Sequence, residues 1–414
     1  MGYRKIMQRK LWVISELYYP EETSTGYFLT RIAEGLADDH NVHVIAAQPS
    51  YSERGIKAPA LEERSGTVIN RIRSTNFNKD LFFGRLLNSI TFASSVCWFV
   101  VRNFRHGDQI LMVTNPPTLQ PLISLIANIK RCSSYLLVHD VYPEILVATK
   151  LVAANSFLRK AMAYPMDGSL KKFDRVIAIG RDMKELLATK MPDAQASKIA
   201  IITNWADVDE INYIPRIENR FALENQLVDK IVVQFSGNIG RTHDVETVLH
   251  VAESCTGRND IVFLFVGYGK KSGAIRQAIK DKNLENVMLL PRQPRQRLAE
   301  MLSCSDVTII SLAEDMLGLS VPSRMYNVMA ASRPIIALAN PASEIARCVE
   351  EEDAGWVVKQ DSTATAKLTE IICRLHSKDF RRTAQTKGQN GRSAAEANYQ
   401  FSHVIEQYKT ILKN

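Results

Sequence analysis

The chain has 414 residues, 46% hydrophobic and 23% charged, with 19 Gly and 15 Pro. That length suits two or three domains rather than one, and the composition excludes a disordered tail protein, a collagen-like chain and a disulfide scaffold. The net charge of +8 sits in one half: residues 1–205 carry 26 Lys and Arg against 18 Asp and Glu, residues 206–414 carry 26 against 26.

A basic first half predicts an anionic partner, a lipid surface or a phosphorylated acceptor. No basic stripe with interleaved aromatics and no recognition helix is present, which argues against nucleic acid. MGYRKIMQRK has the charge of a signal-peptide n-region, but Glu16 and Pro20 cut short the apolar run behind it, and Ile6 occupies the Ser/Thr position of a myristoylation signal. The expectation is a chain without an export signal. The apolar run from Leu86 to Val101 contains Asn88, Ser89, Thr91, Ser94 and Ser95, and is shorter than the roughly 20 residues a membrane span needs. Cys97, Cys132, Cys255, Cys304, Cys348 and Cys373 are scattered singly, without a Cys-x-x-Cys pair or a His at zinc-finger spacing. They read as buried free thiols in a reducing compartment.

In chain order, LWVISEL reads as a strand, TGYFLTRIAEGLADD as an amphipathic helix and VHVIAAQ as a strand, with TVINRIRST as a strand at the sheet edge. QILMVT, YLLVHD, RVIAIG and IAIIT are further apolar strands, alternating with the helical segments LQPLISLIANIKR and RDMKELLATK. This alternation is the pattern of a mostly parallel sheet covered on both faces. NWADVDEINYIPRIENRFALENQ lacks periodicity and reads as a linker. The alternation restarts at KIVVQFS and continues through IVFLFVG, NVMLLP, VTIISL, PIIALA and AGWVV, a second α/β domain, and the tail from Ser377 reads as helical. The predicted division is residues 1–205, 206–385 and a helical tail 386–414 that returns toward the first domain. Two such domains predict a crevice lined by the carboxyl ends of their strands, where ligands bind α/β folds.

Four segments carry chemistry. In YYPEETSTGYF, Gly26 opens a helix, either to admit a phosphate or within a plain turn capped by Thr23, Ser24 or Thr25. VHDVYPE ends a strand with His139, Asp140 and Glu144, either as sugar and proton-handling groups or as an interior imidazole and a helix cap. In FSGNIGRTHD, Gly237 and Gly240 bracket a turn, with Arg241 and His243 as cations beside a helix start, suited to a diphosphate. In LGLSVPSRMYNVMAASRPIIALA, Ser323 caps a helix, Arg324 places a cation against its dipole and Asn327 lies a turn further on, within reach of a ribose. VGYGKKSG, with Gly267, Gly269 and Gly273, departs from a dinucleotide fingerprint; Asp207-Val208-Asp209 lies in the linker; and no P-loop is present.

YYPEETSTG, HDVYPE, NWAD, FSGNIGRTHD, VGYG and VPSRMYNVMAASRPIIA, spread over nearly the whole chain, resemble the family 4 glycosyltransferases of GT-B architecture, the group that includes WbuB-type enzymes of bacterial surface-polysaccharide synthesis. The resemblance implies two Rossmann-like doubly wound domains facing a central crevice. It implies a nucleotide diphosphate sugar, a UDP-sugar foremost, on the second domain. The sugar would pass with retention of configuration to a lipid-linked or saccharide acceptor on the first, without metal or other cofactor. Arg241, Arg324 and Ser323 would hold the diphosphate, with His243 in the place of a lysine that many members use, charged according to pH. His139 would lie near the reacting sugar, and Asp140 or Glu144 near the acceptor hydroxyl. The family's Glu-x7-Glu positions fall at Leu319 and Asn327, so neither carboxylate is present and Asn327 takes the ribose contact. The expected place is the cytoplasm, with docking on an anionic membrane face through LFFGRLLNSITFASSVCWFVVRNFR and its Arg85, Arg102 and Arg105. A non-hydrolysing UDP-sugar 2-epimerase and a non-catalytic sugar-nucleotide-binding protein are the alternatives.

Overall fold

The computed structural model describes residues 9–49, 56–75, 77 and 82–413; the side chains of Phe82, Arg85 and Leu86 lie outside the description, as do the N-terminal signal-like residues 1–8. The chain forms two compact units. The first takes residues up to Thr203 together with those from Val404 onward, and the second takes Asn204–His403.

The first unit begins with β1 (Lys10–Ile14), α1 (Ser24–Leu36), β2 (Asn41–Ala46), β3 (Leu61–Arg64) and β4 (Thr67–Arg71). It continues with α2 (Phe82–Asn103), β5 (Gln109–Val113), α3 (Leu119–Lys130), β6 (Ser133–Val138), α4 (Glu144–Ala148) and α5 (Phe157–Leu170). β7 (Arg175–Ala178), α6 (Arg181–Thr189), α7 (Asp193–Ala196) and β8 (Ile199–Ile201) follow. The strands form one sheet in the order β3-β4-β2-β1-β5-β6-β7-β8. The order reverses at β1/β5, the topology of a doubly wound fold. Strands such as β1 and β5 are buried on both faces, which is why they read as continuous apolar runs. The segment predicted as the edge strand is β4, but it pairs parallel to β2 and the antiparallel β3 covers its other side. The alternating charges of Leu-Glu-Glu-Arg conceal that hairpin partner from a search for apolar runs.

The second unit opens with α8 (Arg220–Glu224), β9 (Ile231–Asn238), α9 (Glu246–Ser254), β10 (Ile261–Tyr268), α10 (Ser272–Asp281) and β11 (Val287–Leu290). Next come α11 (Leu298–Ser303), β12 (Val307–Ser311), α12 (Arg324–Ala330), β13 (Ile335–Leu338), α13 (Glu344–Glu351) and β14 (Gly355–Val358). The helices α14 (Ala364–Arg374), α15 (Lys378–Asn398) and α16 (Phe401–Lys413) close the chain. The sheet, β11-β10-β9-β12-β13-β14, is parallel throughout. Phe235, Phe263, Phe265, Ile309 and Ile336 on its strands pack against Val248, Ile275 and Leu368 of the covering helices. Each such side chain contributes about 1.5–3 kcal/mol by leaving water.

The segment read as a linker is part of this unit's interior. Trp205, Ile211 and Phe221 are all buried, and Trp205 meets Phe401 at 5.0 Å between ring centroids. Irregular backbone hides apolar packing from a periodicity search. The tail divides likewise: α15 stays in the second unit, and the chain enters the first only from Val404. There the Leu412 carbonyl accepts from Gln109 Nε2 at 2.5 Å, and Lys409 pairs with Asp39 at 3.1 Å. All six cysteines are free, four of them buried.

Candidate functional site

The second unit brings His243, Arg324 and Gly237 together at the carboxyl ends of the neighbouring strands β9 and β12. His243 Nδ1 lies 2.6 Å from the Ser311 carbonyl oxygen. Nδ1 therefore carries the ring proton and donates it; Arg324 Nη2 lies 3.0 Å from that nitrogen and 3.3 Å from Nε2, the ring's only acceptor. Burial, reinforced by the Arg324 charge, pushes the His243 pKa down to about 3. The expected pH-dependent phosphate cation is instead a neutral interior imidazole.

Arg324, the first residue of α12, turns inward. Its Nη1 donates to the Ser236 carbonyl at 2.6 Å, and the guanidinium carbon sits 4.8 Å from the centre of the Phe235 ring. Nε is buried without a hydrogen-bond partner. Among the described residues no carboxylate pairs with Arg324, and burial lowers its pKa to about 10, leaving it protonated at neutral pH. Arg241 projects from the exposed turn after β9.

Gly237 and Gly267 face each other where β9 and β10 run on in register. A Cβ on Gly267, at φ +145°, would fall 1.9 Å from the Gly237 carbonyl oxygen, and one on Gly237, at φ +112°, would press on Arg324 Nη1 at 3.2 Å. Of the dinucleotide-like glycines, Gly267 thus serves close strand packing, whereas nothing lies within 4 Å of a Cβ on Gly273. Ser323 stands at the N-cap of α12 but makes no side-chain capping bond. Asn327 Oδ1 accepts from the Asp207 backbone N–H at 3.4 Å, so the side chain assigned to a ribose ties α12 to the Asn204–Asp207 segment. Leu319, at the other signature position, is buried. Asp207 is ion-paired with Arg295 and accepts from the Trp205 indole N–H at 3.2 Å. Among the described residues no group of His, Cys, Asp and Glu is arranged to hold a metal ion.

The first unit brings Gly26 and His139 to one end of its sheet. Thr23 caps α1 by accepting from the Gly26 N–H at 3.2 Å, and a Cβ on Gly26 would sit 2.5 Å from the Glu21 carbonyl oxygen. The approach that requires glycine is made by the protein's own loop. His139, just past β6, lies 3.4 Å from Thr25 Oγ1 through Nδ1, while its Nε2 is buried without a partner. Burial pushes its pKa down to about 4, so it is neutral at physiological pH. Thr114 Oγ1, at the end of the adjacent β5, accepts from the backbone N–H groups of His139 at 3.3 Å and Asp140 at 3.4 Å. Glu144 is not an open carboxylate: Lys190 Nζ reaches its Oε1 at 2.6 Å and Asp167 at 3.0 Å.

Sequence reading named Thr25 only as a candidate helix cap and passed over Thr114, Ser311 and Lys190. Thr114 and Ser311 had a usable signal, as polar residues ending buried parallel strands. Lys190 had none, because its partners lie 46 and 23 residues away.

Comparison with known proteins agrees with this architecture. Residues 216–392 match the model of the glycosyl transferases group 1 family. The chain is 28% identical over 368 residues to the probable glycosyltransferase WbjE of Pseudomonas aeruginosa, covering 88% of this chain and 90% of that protein. Among solved structures, the sucrose-phosphate synthase of Thermosynechococcus elongatus superposes with a TM-score of 0.75 at 16% identity, over 98% of both chains. HepE of Anabaena, in complex with UDP-glucose, gives 0.73 at 13% identity over 98% of this chain and 99% of that one. WaaG, a glycosyltransferase involved in lipopolysaccharide biosynthesis, gives 0.72 at 13% over 97% and 99%. The chain is a glycosyltransferase with the GT-B fold.

Proposed function

We propose that this glycosyltransferase is a family 4-like enzyme that moves a sugar, with retention of anomeric configuration, from a nucleotide diphosphate sugar, a UDP-sugar foremost, to an acceptor. The acceptor is lipid-linked or a saccharide in bacterial surface-polysaccharide synthesis, at the cytoplasmic face of the cell membrane. The observation that carries the donor side is Arg324. Its guanidinium is buried against a carbonyl and a neutral imidazole, with an unpartnered Nε and no carboxylate among the described residues. A buried cation without a counter-charge is costly; a diphosphate supplies that charge.

On this reading Arg324 and the exposed Arg241 meet the negative charge that grows on the diphosphate as the sugar leaves. That is electrostatic stabilisation of the departing group without a metal. The neutral His243 orients Arg324 by accepting its Nη2 proton. In the first unit, His139 offers its unpartnered Nε2 to the sugar, and Asp140 rather than the Lys190-bound Glu144 serves the acceptor hydroxyl.

The test is UDP release from a panel of UDP-sugars with and without a lipid-linked acceptor, with mass spectrometry of the product. Acceptor-dependent release and a glycosylated lipid are expected. Isomerised donor without acceptor would point to an epimerase, and UDP-sugar binding without turnover to a binding protein; either would overturn the proposal.

A further inference from the structure

α2 has two apolar faces. Phe92, Val96 and Val100 are buried, and Phe99 and Phe104 contact Trp12 with ring centroids 5.8 and 5.0 Å away. This is the ordinary core-facing stripe of a surface helix. The opposite face carries Leu87, Ile90, Trp98 and Val101, all exposed, at spacings of three, eight and three residues. A helix whose outer face meets only water carries polar residues there; this one places a 62%-exposed tryptophan.

The neighbouring helices repeat the pattern. α3 lies beside α2, joined by Ser89 Oγ to Thr118 Oγ1 at 2.8 Å near one end and by Lys130 Nζ to the Val101 carbonyl at 2.7 Å near the other. Its outward positions are Leu122, Leu125 and Ile129, the last 71% exposed. α5 packs on α3, where Gln120 Nε2 donates to Ser169 Oγ at 2.8 Å, and it exposes Phe157 and Tyr164 by 85% and 87%. The right-handed crossovers β4-α2-β5, β5-α3-β6 and β6-α5-β7 put all three helices on one face of the sheet.

Charge is sorted on α2 and α3, while α5 carries Arg159, Lys160 and Asp167. From Phe82 to His139 the sequence has one carboxylate, Asp108. It is buried, accepting from the Trp12 indole at 2.9 Å and from the Lys10 and Arg105 backbone N–H groups. Arg102, Lys130 and Arg131 lie at the carboxyl ends of α2 and α3, Lys160 lies on α5, and among the described residues none of the four has an ion-pair partner. A second copy of the chain docked symmetrically on this face would set these bases against their like. An anionic bilayer matches both features: its acyl boundary takes the apolar side chains and its headgroups the bases. Among the described residues no helix is long and apolar enough to cross a membrane, so the face lies on the bilayer.

We propose that the outer faces of α2, α3 and α5 form a docking surface for an anionic lipid bilayer, with Trp98, Ile129, Phe157 and Tyr164 entering the interface. This deepens the acceptor side of the proposed function, but the surface argument rests on exposure and charge alone.

The experiment is co-sedimentation of the full chain with vesicles of phosphatidylcholine alone or mixed with phosphatidylglycerol, at low and high salt. Fluorescence quenching by brominated acyl chains is read alongside. Binding to the mixed vesicles is expected, weakening with salt, falling about fivefold for each of Arg102→Gln and Lys130→Gln. Leu125→Glu/Ile129→Glu is expected to abolish it, and Trp98→Phe to remove most of the quenching. An unchanged melting curve establishes that the exposed-face variant is folded. No binding to either vesicle, binding that survives Leu125→Glu/Ile129→Glu, or a lipid-free dimer broken by that variant would each overturn the proposal. UDP release without vesicles reports the transferase reading separately, so the two can fail independently.

Discussion

Arg324 Nη2 stands 3.0 Å from His243 Nδ1 and 3.3 Å from Nε2, and the Ser311 carbonyl, 2.6 Å from Nδ1, decides which nitrogen carries the proton. The imidazole is thereby a lone-pair acceptor for a buried cation. The two residues separate into a phosphate-facing charge and a neutral brace.

That separation distinguishes the two arginines. Arg241 is exposed, so Arg241→Ala is expected to weaken UDP binding by about 10- to 100-fold, one charge-assisted bond, with no change in melting temperature. Arg324→Ala is expected to weaken UDP binding at least as much and also lower the melting temperature, because it strips partners from the Ser236 carbonyl and His243 Nε2. Calorimetry and thermal melts on both variants check this. Wild-type UDP affinity in both would place the phosphate site elsewhere.

The depressed histidines predict an acid-sensitive fold. His243 titrates near 3 and His139 near 4 in the folded chain, below the ordinary value of about 6.5. Their neutral forms are favoured by folding, so this stability is fully present above pH 6.5 and is lost as pH falls toward the folded values. The expected slope is of order 1 kcal/mol per pH unit for each imidazole. His243→Asn, whose amide N–H can replace Nδ1–H, should be less stable at pH 7 but decline less steeply between pH 6.5 and 4. Parallel melting curves across that range would refute the assignment.

The glycines of VGYGKKSG should respond unequally. Gly267→Ala drives a Cβ into the Gly237 carbonyl at positive φ and is expected to cost several kcal/mol or prevent folding. Nothing lies within 4 Å of a Cβ on Gly273, inside α10, so Gly273→Ala should be neutral or stabilising by about 0.5–1 kcal/mol. Denaturant titration of the two variants is the check.

Transferase activity should survive EDTA. Asp207→Ala should destabilise the second unit by freeing Arg295 and the Trp205 indole, without creating or abolishing a metal requirement. Strict Mg or Mn dependence lost in Asp207→Ala would show that the carboxylate is a ligand after all.

What the sequence determined by itself was the alternation of apolar strands and amphipathic helices, the restart of that alternation near Lys230, and the loops that end strands with Gly, His and Arg. These are local signals: strand burial on both faces and helix periodicity are written in consecutive residues. The tertiary structure decided which groups are charged, open or engaged. Glu144 and Lys190 are 46 residues apart and His243 and Arg324 are 81, and nothing in either neighbourhood announces the pairing. Leu-Glu-Glu-Arg becomes a strand only because β4 offers it a hairpin partner. Trp98, Val96 and Val100 share one apolar run, and only the fold sorts them: Trp98 is 62% exposed while Val96 and Val100 are buried. Burial and protonation are set by neighbours that folding brings from far along the chain, and those distances have no trace in local composition.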